Sequence, residues 1–256
     1  MKLLDIFRQS EKRNFGLIRD KKDDRDLVYK IKAPGTIYPK STERRNIALF
    51  PYRYDQGNIG SCVGHGTAEV FRLVLGVNNM PDFEPSRLFA YFIARRDKDN
   101  DTGASIRDAF KALNKFGLCS EISWPYMESK FNILPDEPIF KEAENHQIVR
   151  YESLPQTKEA IMDALSRGYP IVYGKKLFSS FMTDRVARTG IIPMPRRCEK
   201  EIGGHCMLIT DYDEAGTVEL NSWSINWGQR GVCQVPWEYV LDNRKAFDFW
   251  TLYLTE

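Results

Sequence analysis

The spacing of apolar residues changes halfway along the chain, and that change limits the folds open to it. From Ser61 onward, Val63, Val70, Phe71, Val74 and Leu75 fall on one helical face, while Gly64, Gly66 and Ala68 leave room for close packing. "EPSRLFAYFIARR" predicts a second helix, with a proline near its start and Leu88, Phe89, Phe92 and Ile93 on one side. "SIRDAFKALNKFG" predicts a third, with Ile106, Ala109, Phe110 and Leu113 facing inward and Gly117 as its stop. A proline-rich crossing, "SWPYMESKFNILPDEPIF", then leads to a short helix over residues 141–145. Beyond it the period drops to two: "HQIVRYESL", "YPIVYGKKL", "HCMLITDYDEAGTVELNSW", "GVCQVPWEYV" and "FDFWTLYL" read as strands, with "DEAGT" as a hairpin turn. One amphipathic helix, "TKEAIMDALSRG", interrupts them. The chain is α in its first half and mostly β in its second, an α+β fold.

With 256 residues the chain can bury one sizeable core, as a single domain or as two intimately packed lobes. Residues 1–45 are polar and charge-mixed, and read as an extended arm or lead-in rather than an inhibitory segment, because they carry no long helical period. The remainder, 46–256, divides into a helical lobe over about 46–135 and a β-rich lobe over about 136–256. Lys and Arg total 37 against 35 Asp and Glu, and the basic residues are scattered, so neither nucleic acid nor an acidic membrane surface is expected as a partner. Asp5 and Arg8 break the N-terminal apolar patch, and no later run is long enough to span a bilayer. Five cysteines at irregular spacings argue for a reduced chain, and the expected compartment is cytoplasmic.

Three separated stretches carry chemistry. In "YDQGNIGSC", Cys62 sits where the first helix begins, so the helix dipole favours its thiolate and the unpaired N–H groups there can bind a developing oxyanion. Gln56, six residues earlier, can supply a second donor from its side-chain amide. In "EIGGHCMLITDYD", His205 lies at the mouth of a strand as the candidate base. In "ELNSWSINWG", Asn221 ends the neighbouring strand, where its amide can fix the imidazole tautomer, and Trp223 can cover that bond.

These blocks resemble the papain-like cysteine peptidases, in the bacterial and phage-type branch. The family places its histidine and asparagine about 130 to 150 residues after the cysteine; here the intervals are 143 and 159. The likeness runs from about Phe50 to Leu254, including "NSWSINWGQRGVCQVPWEYV". It implies a helical lobe facing a β-barrel-like lobe across a cleft. It also implies Cys62 as nucleophile, His205 as base and acid, Asn221 as its orienter and Gln56 as oxyanion donor. Gly103 and Ala104 would pair with an extended substrate backbone, with Gly204 and Trp223 completing the substrate-binding set. Peptide or protein substrates are implied, with no metal or organic cofactor. Two departures bear on pocket shape: Val63 follows the nucleophile where an aromatic is usual, and Ser224 follows Trp223 where glycine is common.

Other readings are open. The same triad can transfer an acyl group to an amine or act as a deamidase or isopeptidase, and a papain-like fold can be a silent peptide-binding or particle-associated protein. A zinc site from Cys62, His65, His205 and Cys206 is disfavoured, because successive residues of a strand point to opposite faces. His65 is expected in helix packing or at the surface, and His146 in solvent. Cys119, Cys198 and Cys233 are expected to be structural or incidental, with Cys198 oxidisable in a polar loop.

Overall fold

Helix α2 (Cys62–Val77) is the axis on which both halves are assembled, and it is buried from Cys62 through Leu75. The computed structural model describes residues 13–32 and 35–255. A short helix α1 (Arg45–Ala48) precedes α2, and α3 (Arg87–Ala94), α4 (Ile106–Phe116) and α5 (Glu137–Ala143) complete the helical side. Local chemistry fixes several ends. Ser86 and Ser105 cap α3 and α4 by accepting from the N–H groups of Phe89 and Asp108. Gly117, at φ 74°, closes α4 against the Ala143 carbonyl, where an added Cβ would lie 1.9 Å from that oxygen.

The second half forms one antiparallel sheet in the order β1-β6-β2-β3-β4-β5. Its strands are β1 (Arg150–Ser153), β2 (Ile171–Phe178), β3 (Glu201–Tyr212), β4 (Gly216–Leu220), β5 (Val232–Pro236) and β6 (Ala246–Tyr253). Helices α6 (Lys158–Ser166), α7 (Asp184–Thr189) and α8 (Trp237–Val240) lie among them. The period of two decides which residues meet which core. Val172, Cys206 and Leu208 join the apolar cluster around α2, whereas Tyr173, Met207 and Ile209 join the cluster on the opposite face.

The three long helices and the strands fall where the periodicity predicts. The fold is α+β, with a helical lobe against an antiparallel sheet. Two details differ. The helix expected over 141–145 runs earlier, over Glu137–Ala143, and continues as a single 3-10 turn at Glu144–His146. "GVCQVPWEYV" splits at Pro236 into a strand and the short helix α8, since proline ends the ladder and suits a helix start.

Close packing of α2 rests on its glycines. A Cβ on Gly64 would stand 2.7 Å from Tyr91 Cβ, 2.8 Å from Tyr91 N and 2.9 Å from the Arg87 carbonyl oxygen, two of which are backbone atoms. On the sheet side, a Cβ on Gly66 would meet Cys206 Sγ at 3.1 Å. The Gly64→Ala variant therefore gains helix propensity and loses more in overpacking, for a net cost of about 1–3 kcal/mol. Its urea midpoint should fall with unchanged slope; an unchanged midpoint would show that α2 is not packed this tightly.

Candidate active site

Cys62 is the first residue of α2, preceded by Ser61, whose side chain makes no cap to the helix. The Ser61 hydroxyl instead bonds the Tyr126 hydroxyl at 2.7 Å, and Tyr126 in turn donates to the Gln56 carbonyl at 2.7 Å. The helix start is thus tied to the loop before it. The thiol is fully buried, and burial pushes its pKa up, opposed by the amide N–H groups of Cys206, Gly16 and Val63. The action of the Cys206 amide brings the sulfur to the residue next to His205.

His205 is also fully buried. Its Nε2–H donates to Asn221 Oδ1 at 2.9 Å. The Trp223 ring lies 5.1 Å from the imidazole centroid at 37° and is itself packed on Trp227 and Phe181. This aromatic cover keeps water from the His205–Asn221 bond. The His205 Nδ1 has no hydrogen-bond partner among the described residues, so thiol and imidazole are not bonded to each other in this state. Burial holds the imidazole down at about 3; the Asn221 bond pulls its pKa up, and the charges of Lys175 and Arg13 push it further down.

Gln56 is completely buried and held by its neighbours on the other lobe. Its Oε1 accepts from the Ser222 hydroxyl at 2.8 Å, and its backbone N–H donates to the Ser222 carbonyl at 2.9 Å. Its Nε2 donates to the Ile59 carbonyl at 3.0 Å and to the carbonyl of Asn14 at 3.3 Å.

Asn14 belongs to the N-terminal arm, whose residues 13–20 run through the cleft between the lobes. The arm is extended, as its composition predicts, but its place was not legible in the sequence. Ala104 N–H donates to the Gly16 carbonyl at 2.8 Å, and Ile18 N–H donates to the Ala104 carbonyl at 2.9 Å, a parallel bridge. Ala104 therefore pairs with extended backbone, and here that backbone is the chain's own. Gly16 presses on Gly60 and Gly103: a Cβ on Gly16 would lie 1.7 Å from the Gly60 oxygen. Phe15 covers Gly203 and stands 6.3 Å from both the His205 and Trp223 rings. Leu17 lies against Gly204 and fills the hollow over Gly174 and Phe247.

Ion pairs and hydrogen bonds pin both ends of this segment. Arg13 pairs with Asp55 at 2.7 Å and sits 5.2 Å over the Trp223 ring. Asp20 accepts from Trp250 Nε1 at 2.8 Å and from the Arg107 amide at 3.2 Å, while its own N–H donates to Asp248 at 2.7 Å. Farther on, Tyr29 N–H donates to the Ser153 carbonyl at 2.8 Å.

The remaining expected residues fall as follows. His205 faces Trp223 while Cys206 faces Gly66 of α2, so the pair does not converge on one metal position. His65 is buried, 4.8 Å from the Tyr126 ring, and serves packing. His146, expected in solvent, is half-buried and stacked on Phe83 at 3.7 Å, because the 3-10 turn folds it back. All five cysteines are free, and only Cys198 is exposed. Residue-by-residue reading missed Ser222, Tyr126 and the arm's "NFGLI". That apolar island in a charged segment was the available signal.

Residues 38–239 match the profile of the papain family of cysteine proteases. An uncharacterised peptidase C1-like protein of Acanthamoeba polyphaga mimivirus is 35% identical over 269 residues, covering 94% of this chain and 86% of that one. Among solved structures, xylellain, a cysteine protease from Xylella fastidiosa, superposes with a TM-score of 0.87 at 30% identity, covering 96% of this chain and 97% of that one. A digestive procathepsin L2 proteinase from Tenebrio molitor larval midgut gives 0.75 at 18% identity, covering 96% and 80%, and shares the fold. The chain belongs to the papain family of cysteine proteases.

Proposed function

We propose that this cysteine protease hydrolyses peptide bonds through a Cys62, His205 and Asn221 triad and a thioester intermediate, and that its arm, expected from composition to be a lead-in and not an inhibitory segment, holds it latent. The observation that carries the reading is the 2.9 Å bond from His205 Nε2 to Asn221 Oδ1 under Trp223, which leaves Nδ1 as the free basic nitrogen on the residue beside the Cys62 sulfur. His205 takes the thiol proton as Cys62 attacks the carbonyl. The oxyanion rests on the Cys62 N–H at the helix start and on Gln56 Nε2, whose orientation Ser222 and the Ile59 carbonyl fix. His205 then protonates the leaving amine and activates water to free the acid. Free cysteines suit a reducing compartment, in keeping with a cytoplasmic site.

Latency follows from the same contacts. The arm's Asn14 carbonyl takes the Gln56 donor, Phe15 shields His205, and Gly16 and Ile18 take the backbone groups of Ala104. The arm's Gly16 amide also acts on the Cys62 sulfur, so the arm reaches the nucleophile itself. A tethered segment acts at an effective concentration of about millimolar, which a micromolar peptide does not match.

Two measurements test this. The full-length Gly16→Val variant cannot seat its arm against Gly60, so its turnover of a peptide library and alkylation of Cys62 should rise by about tenfold or more; equal rates would show that the arm does not gate the site. In that background Cys62→Ala should lower turnover by about 10⁴-fold or more, whereas Cys198→Ser should leave it intact. Turnover that survives loss of Cys62 would remove it as nucleophile.

A further inference from the structure

The proposed reaction leaves unused a fully buried ion pair on the sheet face turned away from α2. Lys175 on β2 and Glu219 on β4 have no side-chain exposure, and Nζ lies 2.7 Å from Oε2. Tyr173 and Thr217 donate their hydroxyls to Glu219 Oε1 at 2.6 and 2.7 Å, so three donors in all converge on the carboxylate. The rings of Tyr173, Phe181 and Tyr239 surround the ammonium, with centroids 5.5, 5.5 and 5.8 Å from Nζ. Desolvating such a pair costs as much as its attraction returns, so stability alone is a weak reason to bury it.

Its position supplies a reason. Lys175 is the antiparallel ladder partner of His205. Directly opposed residues share a face of the sheet, with Cβ atoms about 4.5–5.5 Å apart. Glu219 instead opposes Ile209, four residues farther along β3, so the cation is the end of the pair nearer the imidazole. Phe181, against the ammonium, also stands edge-on at 5.4 Å to Trp223, the ring that covers His205.

We propose that Lys175, fixed by Glu219, is a positioning residue that sets how tightly His205 holds its proton. The inference rests on reading His205 as the base. A cation held in a low-permittivity interior opposes the imidazolium and makes it a readier donor to the leaving amine. The other groups facing His205 differ in kind. Arg13 comes from the arm and leaves with it, His65 on α2 is held neutral by burial with its pKa at about 3, and the Cys62 sulfur is the reaction partner. Asn221 favours the imidazolium. Among the described residues, Lys175 is the cation acting on His205 that remains once the arm is displaced.

The chain has three histidines, so the His205 ring can be followed by NMR titration in the full-length Gly16→Val protein. Lys175→Met should raise its midpoint by about half a pH unit or more. The Lys175→Met/Glu219→Gln protein leaves no charge unpaired, guards against a misfolded single variant, and should also shift upward because the lysine is the nearer charge. An unmoved midpoint in the folded double variant overturns the proposal. The acid limb of kcat/KM should move with the ring, because a base acts in its unprotonated form. A ring that shifts while the limb stays fixed supports the electrostatic coupling and refutes His205 as the base.

Discussion

The approach of helix α2 to strand β3 governs the rest of the molecule. With hydrogen alone at Gly66, α2 lies where a Cβ would meet Cys206 Sγ at 3.1 Å, and Gly64 allows the opposite flank to touch the α3 backbone. This sandwich fixes the first residue of α2 at the seam between the lobes, with its sulfur reached by the Cys206 amide within β3. A larger residue at either glycine would move the sulfur relative to the imidazole, and misplacement of about 1 Å is costly to a reaction that depends on alignment. The apolar clusters on the two faces of the sheet hold that alignment from both sides.

The arm shows how the cleft is built for extended backbone. Ala104 offers one donor and one acceptor, Gly60, Gly103 and Gly204 remove side chains from the walls, and Gly174 opens a hollow that an aliphatic side chain fills. An unfilled cleft would leave two buried polar groups and an aromatic wall exposed to water. Filling it from within costs little entropy because the segment is tethered, and the pinning of Arg13 and Asp20 at its two ends limits how far it frays.

Parts of this were legible in the sequence for a physical reason. Long amphipathic helices and alternating strands announce themselves through periodicity, so α2, α3, α4 and the sheet could be placed. Cys62 at a helix start and Asn221 just past the end of β4 could be singled out from local pattern, whereas His205, expected at a strand mouth, lies within β3, and Gln56 lies in the loop before α2. The path of the arm depends on long-range contacts of backbone and side chains, and the apolar island "NFGLI" is its local sign. Helices α1, α7 and α8 span 4 to 6 residues, too few to display a period. No local pattern sets Lys175 apart from other strand residues; the register of β2 against β3 puts it opposite His205.

The central claim is that this packing makes the sulfur of Cys62 the atom that accepts the acyl group. Mass spectrometry can read it directly, by mixing the arm-displaced full-length protein with an activated peptide ester, quenching in acid and mapping the adduct. The account predicts one acyl group per chain, carried as a thioester on Cys62. An adduct confined to another residue such as Cys198, or no adduct while peptide is still being cleaved, would contradict it.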